Sequence, residues 1–404
     1  MSLQRAWLEA IPIHWQRKKL KYLASLKSGD SITSDEIANE GMYPVFGGNG
    51  IRGYSSAYTH CGSRVLIGRQ GALCGNINFA TGCFWASEHA VVAEIREDAD
   101  VIWFGELLRS MNLNQYSQSA AQPGLAVDVL ANLELPVPPL SEQRAIAKYL
   151  TRETARFDAL VAAKERVLGL LAEKRRALIT RAVTRGLDSR VPLRDSGIPW
   201  LGEIPKHWET ERTRWLFKER DQRSETGEEE LLTVSHLTGV TPRSEKDVNM
   251  FEAETTEGYK ICLAGDLVIN TLWAWMGAMG VSPVKGLVSP AYNVYQPGAR
   301  LEPSYIDAFV RLPVVAQEVT RYSKGVWSSR LRLYPEGFFE VYLPVPPLSE
   351  QRAIVAHIAK EIGKLDELRT AIEQTITLLK ERRTALIAAA VTGKIDVEGA
   401  TWTA

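Results

Sequence analysis

The sequence predicts an α+β protein: two globular heads separated by two long antiparallel helices forming a coiled coil, the whole a pseudo-twofold internal repeat. Three observations predict it. Residues 135–146 (LPVPPLSEQRAI) recur letter for letter at 343–354, 208 positions later, and the match continues through Glu153, Asp158, Arg175 and Asp188 against Glu361, Asp366, Arg383 and Asp396. Upstream, Ile11-Pro12-Ile13-His14-Trp15 is echoed by Ile204-Pro205-Lys206-His207-Trp208. Each connector is then followed by about 40 residues without proline and with a single glycine, Gly169 or Gly363. A long internal repeat constrains the fold before any local signal does.

In chain order, residues 1–134 form the first head, 135–188 a connector and helix, 189–342 the second head, and 343–404 the second connector and helix. Apolar runs at 43–46, 64–67, 90–95, 267–269 and 291–295, set between turn residues, predict strands, and 100–110 and 305–311 read as helical. Pro136, Pro138 and Pro139 hold the approach to the helix extended, so Ser141 is the expected N-cap, with Glu142 favourably placed against the helix dipole. Helices from about 142 to 183 and 350 to 391 would each run about 60 Å at 1.5 Å per residue. That length needs a partner, and 3-and-4 spacing supplies a seam through Leu150, Phe157, Leu171 and Leu178 and through Ile358, Leu365, Ile372 and Leu386. Arg175 and Arg383 fall at equivalent seam positions, where stems would pack and guanidinium groups reach solvent. Two equivalent units tend to pair about a twofold axis, which implies antiparallel helices with a head at either end. Residues 186–203 read as a linker.

Apolar content of 45% and charged content of 24% are those of a globular protein. No apolar run nears the roughly 20 residues of a membrane span, and without a signal-peptide core the expected location is cytoplasmic. Cys61, Cys74, Cys83 and Cys262 lack metal or disulfide spacing and are expected as reduced thiols. Lys+Arg and Asp+Glu both total 48, which by itself argues mildly against nucleic acid. The total hides a bias: residues 141–186 carry eleven bases and five acids, against eight and six in 349–394. Gly48-Asn49-Gly50-Ile51-Arg52-Gly53 fits a dinucleotide fingerprint, but no helix-forming stripe follows it, so it reads as a turn between strands. The six histidines show neither metal nor triad spacing, and no acid/base constellation appears, so the chain is not read as an enzyme.

The connector Pro138-Pro139-Leu140-Ser141-Glu142-Gln143, its copy Pro346-Pro347-Leu348-Ser349-Glu350-Gln351, the run Gly68-Arg69-Gln70-Gly71 and the Ile-Pro-x-His-Trp lead-ins together resemble the specificity subunit of a type I restriction–modification enzyme. The resemblance spans essentially the whole chain. It implies that each head is a target recognition domain reading one half of a split, asymmetric site in double-stranded DNA, with the helices fixing the spacer. It also implies two modification (methyltransferase) subunits and two restriction (motor/nuclease) subunits as partners. The chain lacks the N-P-P-[FY] or D-P-P-[YF] tetrapeptide of amino-methyltransferases, so no cofactor is expected on it, and S-adenosylmethionine, ATP and Mg belong to the partners. Base readout needs Arg, Lys, Asn or Gln at groove depth. The candidates are Asn49, Arg52, Arg69, Gln70, Gln118 and Gln122 in the first head and Arg243, Lys246, Asn270, Lys324, Arg330 and Arg332 in the second. Trp273, Trp275 and Trp327 read as core. Partner docking is expected at Pro139, Glu142, Gln143 and Arg144 and at Pro347, Glu350, Gln351 and Arg352. A protein–protein scaffold with a coiled-coil spacer is the alternative.

Overall fold

The computed structural model describes residues 11–71, 73–117, 124–245, 255–325 and 331–397. The chain forms two compact units, one of Met1–Arg166 with Ile372–Ala404 and one of Val167–Ala371. The division passes through the middle of each long helix rather than at the connectors. Each unit therefore holds one head, the first half of the helix that follows it, and the last half of the other helix.

The first unit contains β1 (Gln16–Lys19), β2 (Ala24–Ser28), β3 (Tyr43–Gly47), β4 (Gly50–Ser55), β5 (His60–Cys61), β6 (Arg64–Gly68), β7 (Ile77–Ala80), β8 (Cys83–Ala86), β9 (Ala90–Ile95) and β10 (Glu134–Val137), with helices α1 (Val101–Ser110) and α2 (Val127–Ala131). Strands β2-β9-β6-β7 form an antiparallel sheet, and β4-β3-β8-β5 a second sheet in which β3 and β8 run parallel. Side chains on successive strand residues face opposite ways. Val65, Ile67, Val91 and Ala93 accordingly meet Trp103, Phe104 and Leu107 of α1. Leu66 and Val92 instead pack with Phe46, Phe84 and Ala86 of the second sheet. With both faces covered, β6 and β9 read as continuous apolar runs. Asp100 caps α1, its Oδ1 accepting from the N–H of Ile102 (2.9 Å) and Trp103 (3.0 Å). Gly105 lets α1 lie against β7, since a Cβ there would sit 2.3 Å from the Phe79 ring.

The second unit repeats the plan with little shared sequence. Its strands are β11 (Leu193–Asp195), β12 (Glu203–Pro205), β13 (Glu209–Arg212), β14 (Phe217–Glu219), β15 (Leu232–Ser235), β16 (Gly239–Pro242), β17 (Lys260–Cys262), β18 (Leu267–Asn270), β19 (Met279–Val281), β20 (Gly286–Val288), β21 (Tyr292–Pro297) and β22 (Tyr342–Val345). The order β14-β21-β18-β19 matches β2-β9-β6-β7. The pairs β15–β16 and β17–β20, joined by a parallel bridge at Leu231 and Leu287, match the other sheet. The same alternation sorts Leu267 and Ile269 to the helical side and Val268 and Val294 to the other.

The helices α3 (Leu140–Arg185, 46 residues) and α8 (Leu348–Val391, 44 residues) begin slightly earlier than expected. The Gln143 N–H already donates to the Pro139 carbonyl (2.9 Å), so Ser141 lies within the first turn and is not the cap. Between them lie α4 (Thr213–Leu216), α5 (Pro303–Val310), α6 (Pro313–Arg321) and α7 (Pro335–Phe338), of which the sequence predicts only α5. In the first unit Asp158 pairs with Arg383 (3.0 Å) and Glu165 with Lys380 (4.0 Å). In the second, Arg175 pairs with Asp366 (2.6 Å). With Gly186 lying beside Glu350 in that second unit, ascending numbers on one helix meet descending numbers on the other in both, so the helices run antiparallel within each unit. The seam arginines thus reach across to equivalent aspartates instead of only extending to solvent.

Two further expectations change. Cys61 and Cys83 are joined by a disulfide between β5 and β8, not reduced, while Cys74 and Cys262 are free and buried. The 186–203 segment is packed structure: β11 pairs with β12, Ile198 is buried, and Trp200 lies against Phe309 with ring centroids 6.0 Å apart. Among the described residues no helix is long and apolar enough to cross a membrane.

Candidate nucleic-acid interface

The repeated letters of the connector build the same clasp in each unit. The indole N–H of Trp15 donates to Glu142 Oε1 (3.0 Å) and His14 Nε2 lies 2.9 Å from Glu142 Oε2. Trp208 and His207 meet Glu350 in the same way, both on Oε2, at 3.1 and 2.7 Å. Gln143 accepts from the Asp100 N–H (2.9 Å) and donates to the Pro138 carbonyl (2.9 Å). Gln351 accepts from the Glu302 N–H (2.8 Å) and donates to the carbonyls of Arg300 and Pro346 (both 2.8 Å). Each clasp is closed by the end of the other helix, where a left-handed glycine fits against it: Gly186 (φ 71°) beside Glu350 and Trp208, Gly393 (φ 71°) beside Pro12 and Trp15.

This corrects part of the docking expectation. Gln143 and Gln351 are buried and bonded inward, so they fasten head to helix and are not presented to a partner. Pro139, Arg144 and Pro347 are exposed. Arg352 is exposed but paired with Glu302 (3.1 Å).

Above this constant base, three loops recur on a shared hydrogen-bonded frame. The β6–β7 loop is closed by Gly68 N–H to the Asn76 carbonyl (2.8 Å), the β18–β19 loop by Asn270 N–H to the Ala278 carbonyl (3.0 Å). Both end on a positive-φ glycine, Gly75 and Gly277, each at 88°. The β8–β9 and β20–β21 loops are closed by Ala90 N–H to Ser87 and Tyr292 N–H to Ser289, both 2.9 Å. The β3–β4 turn has its counterpart between β15 and β16.

In the first unit these loops gather the candidates Asn49, Arg69 and Gln70 with residues the sequence did not single out. Asn49 Oδ1 accepts from Asn76 Nδ2 (2.6 Å), Gln70 Oε1 lies 3.0 Å from His89 Nδ1, and Arg69 Nη1 donates to Ser28 Oγ (2.9 Å). Gly48 lets the turn approach, since a Cβ there would lie 3.1 Å from the His89 carbonyl. Asn49 and Gln70 are exposed, and Arg69 is half-buried with its guanidinium on Ser28. Arg52 is exposed on β4, its stem along Gly47, outside this cluster. Gln118 and Gln122 lie outside the described residues.

The second unit places different chemistry on the same frame. Asn270 is corrected: it is buried, its Nδ2 donating to the Tyr292 hydroxyl (3.0 Å) and its Oδ1 accepting from the Leu272 N–H (3.3 Å), so it braces the loop. Burial pushes the Tyr292 phenol above its ordinary value, opposed by the nearby Arg243 guanidinium. Lys324 and Arg332 are exposed on a short ladder (both bonds 2.9 Å) tied to the loop by Leu333 N–H to the Thr271 carbonyl (3.1 Å). Trp273 is not core: it is 49% exposed, stacked on Trp275 at 6.3 Å. Trp275 is half-buried and donates to the Leu272 carbonyl (3.0 Å). Lys246, Trp327 and Arg330 lie outside the described residues. His89, Asn76 and Trp273 become visible only once the two loops are placed in one register. Among the described residues no group of three His, Cys, Asp or Glu could hold a metal. The arrangement offers hydrogen-bond donors, acceptors and stacking faces rather than a nucleophile with its base.

Residues 12–168 match the family model for the type I restriction modification DNA specificity domain. Over 152 residues the chain is 43% identical to the EcoprrI type I restriction enzyme specificity subunit of Escherichia coli, covering 37% of each chain. It is 30% identical over 152 residues to a putative specificity subunit of Haemophilus influenzae, covering 37% of this chain and 39% of that one. The matches to these two relatives thus span under two fifths of their length. Over 96% of this chain and 94% of the other, it is 20% identical to the MjaVIII specificity subunit of Methanocaldococcus jannaschii. Among solved structures, the fold is like that of the HsdS subunit from Thermoanaerobacter tengcongensis (TM-score 0.55, 16% identity, 95% and 98% covered). It is also like a chain from a study of complex assembly in the type I restriction–modification system (TM-score 0.63, 18% identity, 95% and 99% covered).

Proposed function

We propose, from the premise that the chain belongs to the type I restriction–modification specificity family, that it is the DNA-recognition subunit of such a complex. Each head reads one half of a bipartite, asymmetric site in double-stranded DNA. The helical pair sets the spacer and docks two modification subunits, which two motor/nuclease subunits join. Methyl transfer, with S-adenosylmethionine, and ATP- and Mg-dependent cleavage belong to those partners, and the chain itself is not catalytic.

One observation carries this reading. The same three loops stand on the same frame in both heads, yet hold Arg69, Gln70 and His89 in one and Thr271, Leu272 and Ala291 in the other, above clasps that are alike. A constant base with exchanged tips suits a constant partner and two different half-sites. Mapping methylated adenines genome-wide with and without the gene tests it. A bipartite motif should vanish on deletion; an unchanged methylome overturns the reading. At residue level, Gln70→Ala should relax the first half-site only and Arg332→Ala the second only, each by about 1–3 kcal/mol.

A further inference from the structure

Near their C-terminal ends the two helices match closely in sequence, except that three arginines of the first have no basic counterpart in the second. Lys174 and Arg175 have basic counterparts in Arg382 and Arg383, but Arg176, Arg181 and Arg185 fall opposite Thr384, Ala389 and Gly393 at the 208-residue offset. All three line one cavity of about 660 Å³ in the second unit, at the end of α3, where Thr180 and Ser189 add hydroxyls. Arg176 donates Nε to the Ala172 carbonyl (3.4 Å). Among the described residues no side-chain hydrogen bond or ion pair engages the guanidinium of Arg181 or Arg185. The one lining acid, Asp188, already accepts from the backbone N–H (2.9 Å) and guanidinium (3.1 Å) of Arg190. Attraction to the helix C-terminus accounts for a cation in the last turn, but it fades within that turn and does not reach Arg176.

We propose that this cavity is a phosphate-binding site for the nucleic-acid backbone, present in one copy per chain. The inference rests on the DNA-recognition reading above. A partner that binds twice through repeated surfaces would meet the same side chains twice. A cluster of guanidinium groups lining one open cavity suits a polyanion, and the phosphate backbone of a duplex is such a ligand. Guanidinium groups match phosphate oxygens in geometry and charge. Contacts of this kind position the duplex and add affinity without reading bases.

The test uses the full chain and its triple variant (Arg176→Gln, Arg181→Gln, Arg185→Gln), with binding measured by fluorescence anisotropy from low to moderate salt. Two duplexes are used, one carrying the motif found by methylome mapping and one unrelated. Loss of three phosphate contacts should flatten the slope of log K against log salt by about 2–3 on both duplexes, leaving the preference between them unchanged. The triple Arg→Lys variant should restore most of the slope. An unchanged slope overturns the proposal, as does a variant that keeps its slope but no longer binds a protein partner. If the wild-type chain shows no preference between duplexes, the DNA-recognition reading fails, while the slope on either duplex still decides this site. Circular dichroism of the variant controls for folding.

Discussion

Replacing each clasp glutamine by leucine should destabilise the two units unequally, by an amount that can be counted from the structure. Gln143 satisfies two backbone groups, the Asp100 N–H and the Pro138 carbonyl. Gln351 satisfies three, the Glu302 N–H and the carbonyls of Arg300 and Pro346. Both side chains are within 1% of complete burial, so water cannot readily replace them. Leucine is close in volume and leaves little cavity, and the cost is then that of stranded polar groups. At about 1.5 kcal/mol for each, Gln143→Leu should cost about 3 kcal/mol and Gln351→Leu about 4.5 kcal/mol. Urea unfolding gives the totals, and hydrogen exchange by mass spectrometry locates the loss: the first unit for Gln143→Leu, the second for Gln351→Leu. Equal costs, or costs below about 1 kcal/mol, would refute the reasoning, because the backbone groups would then be finding other partners.

Four further outcomes are expected. A double-mutant cycle on Arg175 and Asp366, with side chains 42% and 50% exposed, should give a coupling of only about 0.2–1 kcal/mol that shrinks with added salt; a larger, salt-insensitive value would contradict a solvated ion pair. Gly75→Ala should destabilise more than Gly277→Ala: both glycines have φ near 88°, but a Cβ at 75 meets the Asn114 nitrogen at 2.5 Å while one at 277 meets only Ala316 at 3.5 Å, and thermal unfolding of the two variants decides. Thiol labelling in denaturant without reductant should modify two of the four cysteines, and Cys83→Ser should cost about 2–4 kcal/mol under oxidising conditions; four reactive thiols in the unreduced chain would exclude the disulfide. Burial against Phe84 holds the His60 imidazole below its ordinary 6.5, so its contribution is complete above that pH and is lost as pH falls below it. Urea midpoints from about pH 5 to 8 should therefore show a slope that His60→Gln flattens.

The sequence made the repeat, the long helices and most strands legible because each depends on local rules. Identity over twelve letters needs no structure, and a proline-free run beside a 3-and-4 seam specifies a helix. What it hid depends on long-range register. Asn270 has the composition of a reader, but Tyr292, 22 positions later, turns it inward. Gln143 and Gln351 look like constant surface until Asp100 and Glu302 claim their oxygens. Cys61 and Cys83 have no diagnostic spacing, and only the pairing of β5 with β8 brings them together. His89 and Gln70 meet because two loops share one frame, which alternation of apolar residues does not announce.

The exchange of helix ends makes the covalent order of the chain secondary to its contacts. Gly393 packs on Pro12 and Trp15 much as Gly186 packs on Pro205 and Trp208, although one junction is a peptide connection and the other only an encounter. A chain rewired to join the region after Gly393 to the region before Pro12, and opened instead among residues 187–191, would keep both clasps, both seams and every loop described here. The contacts that close a clasp are thus alike whether or not the chain continues directly across them.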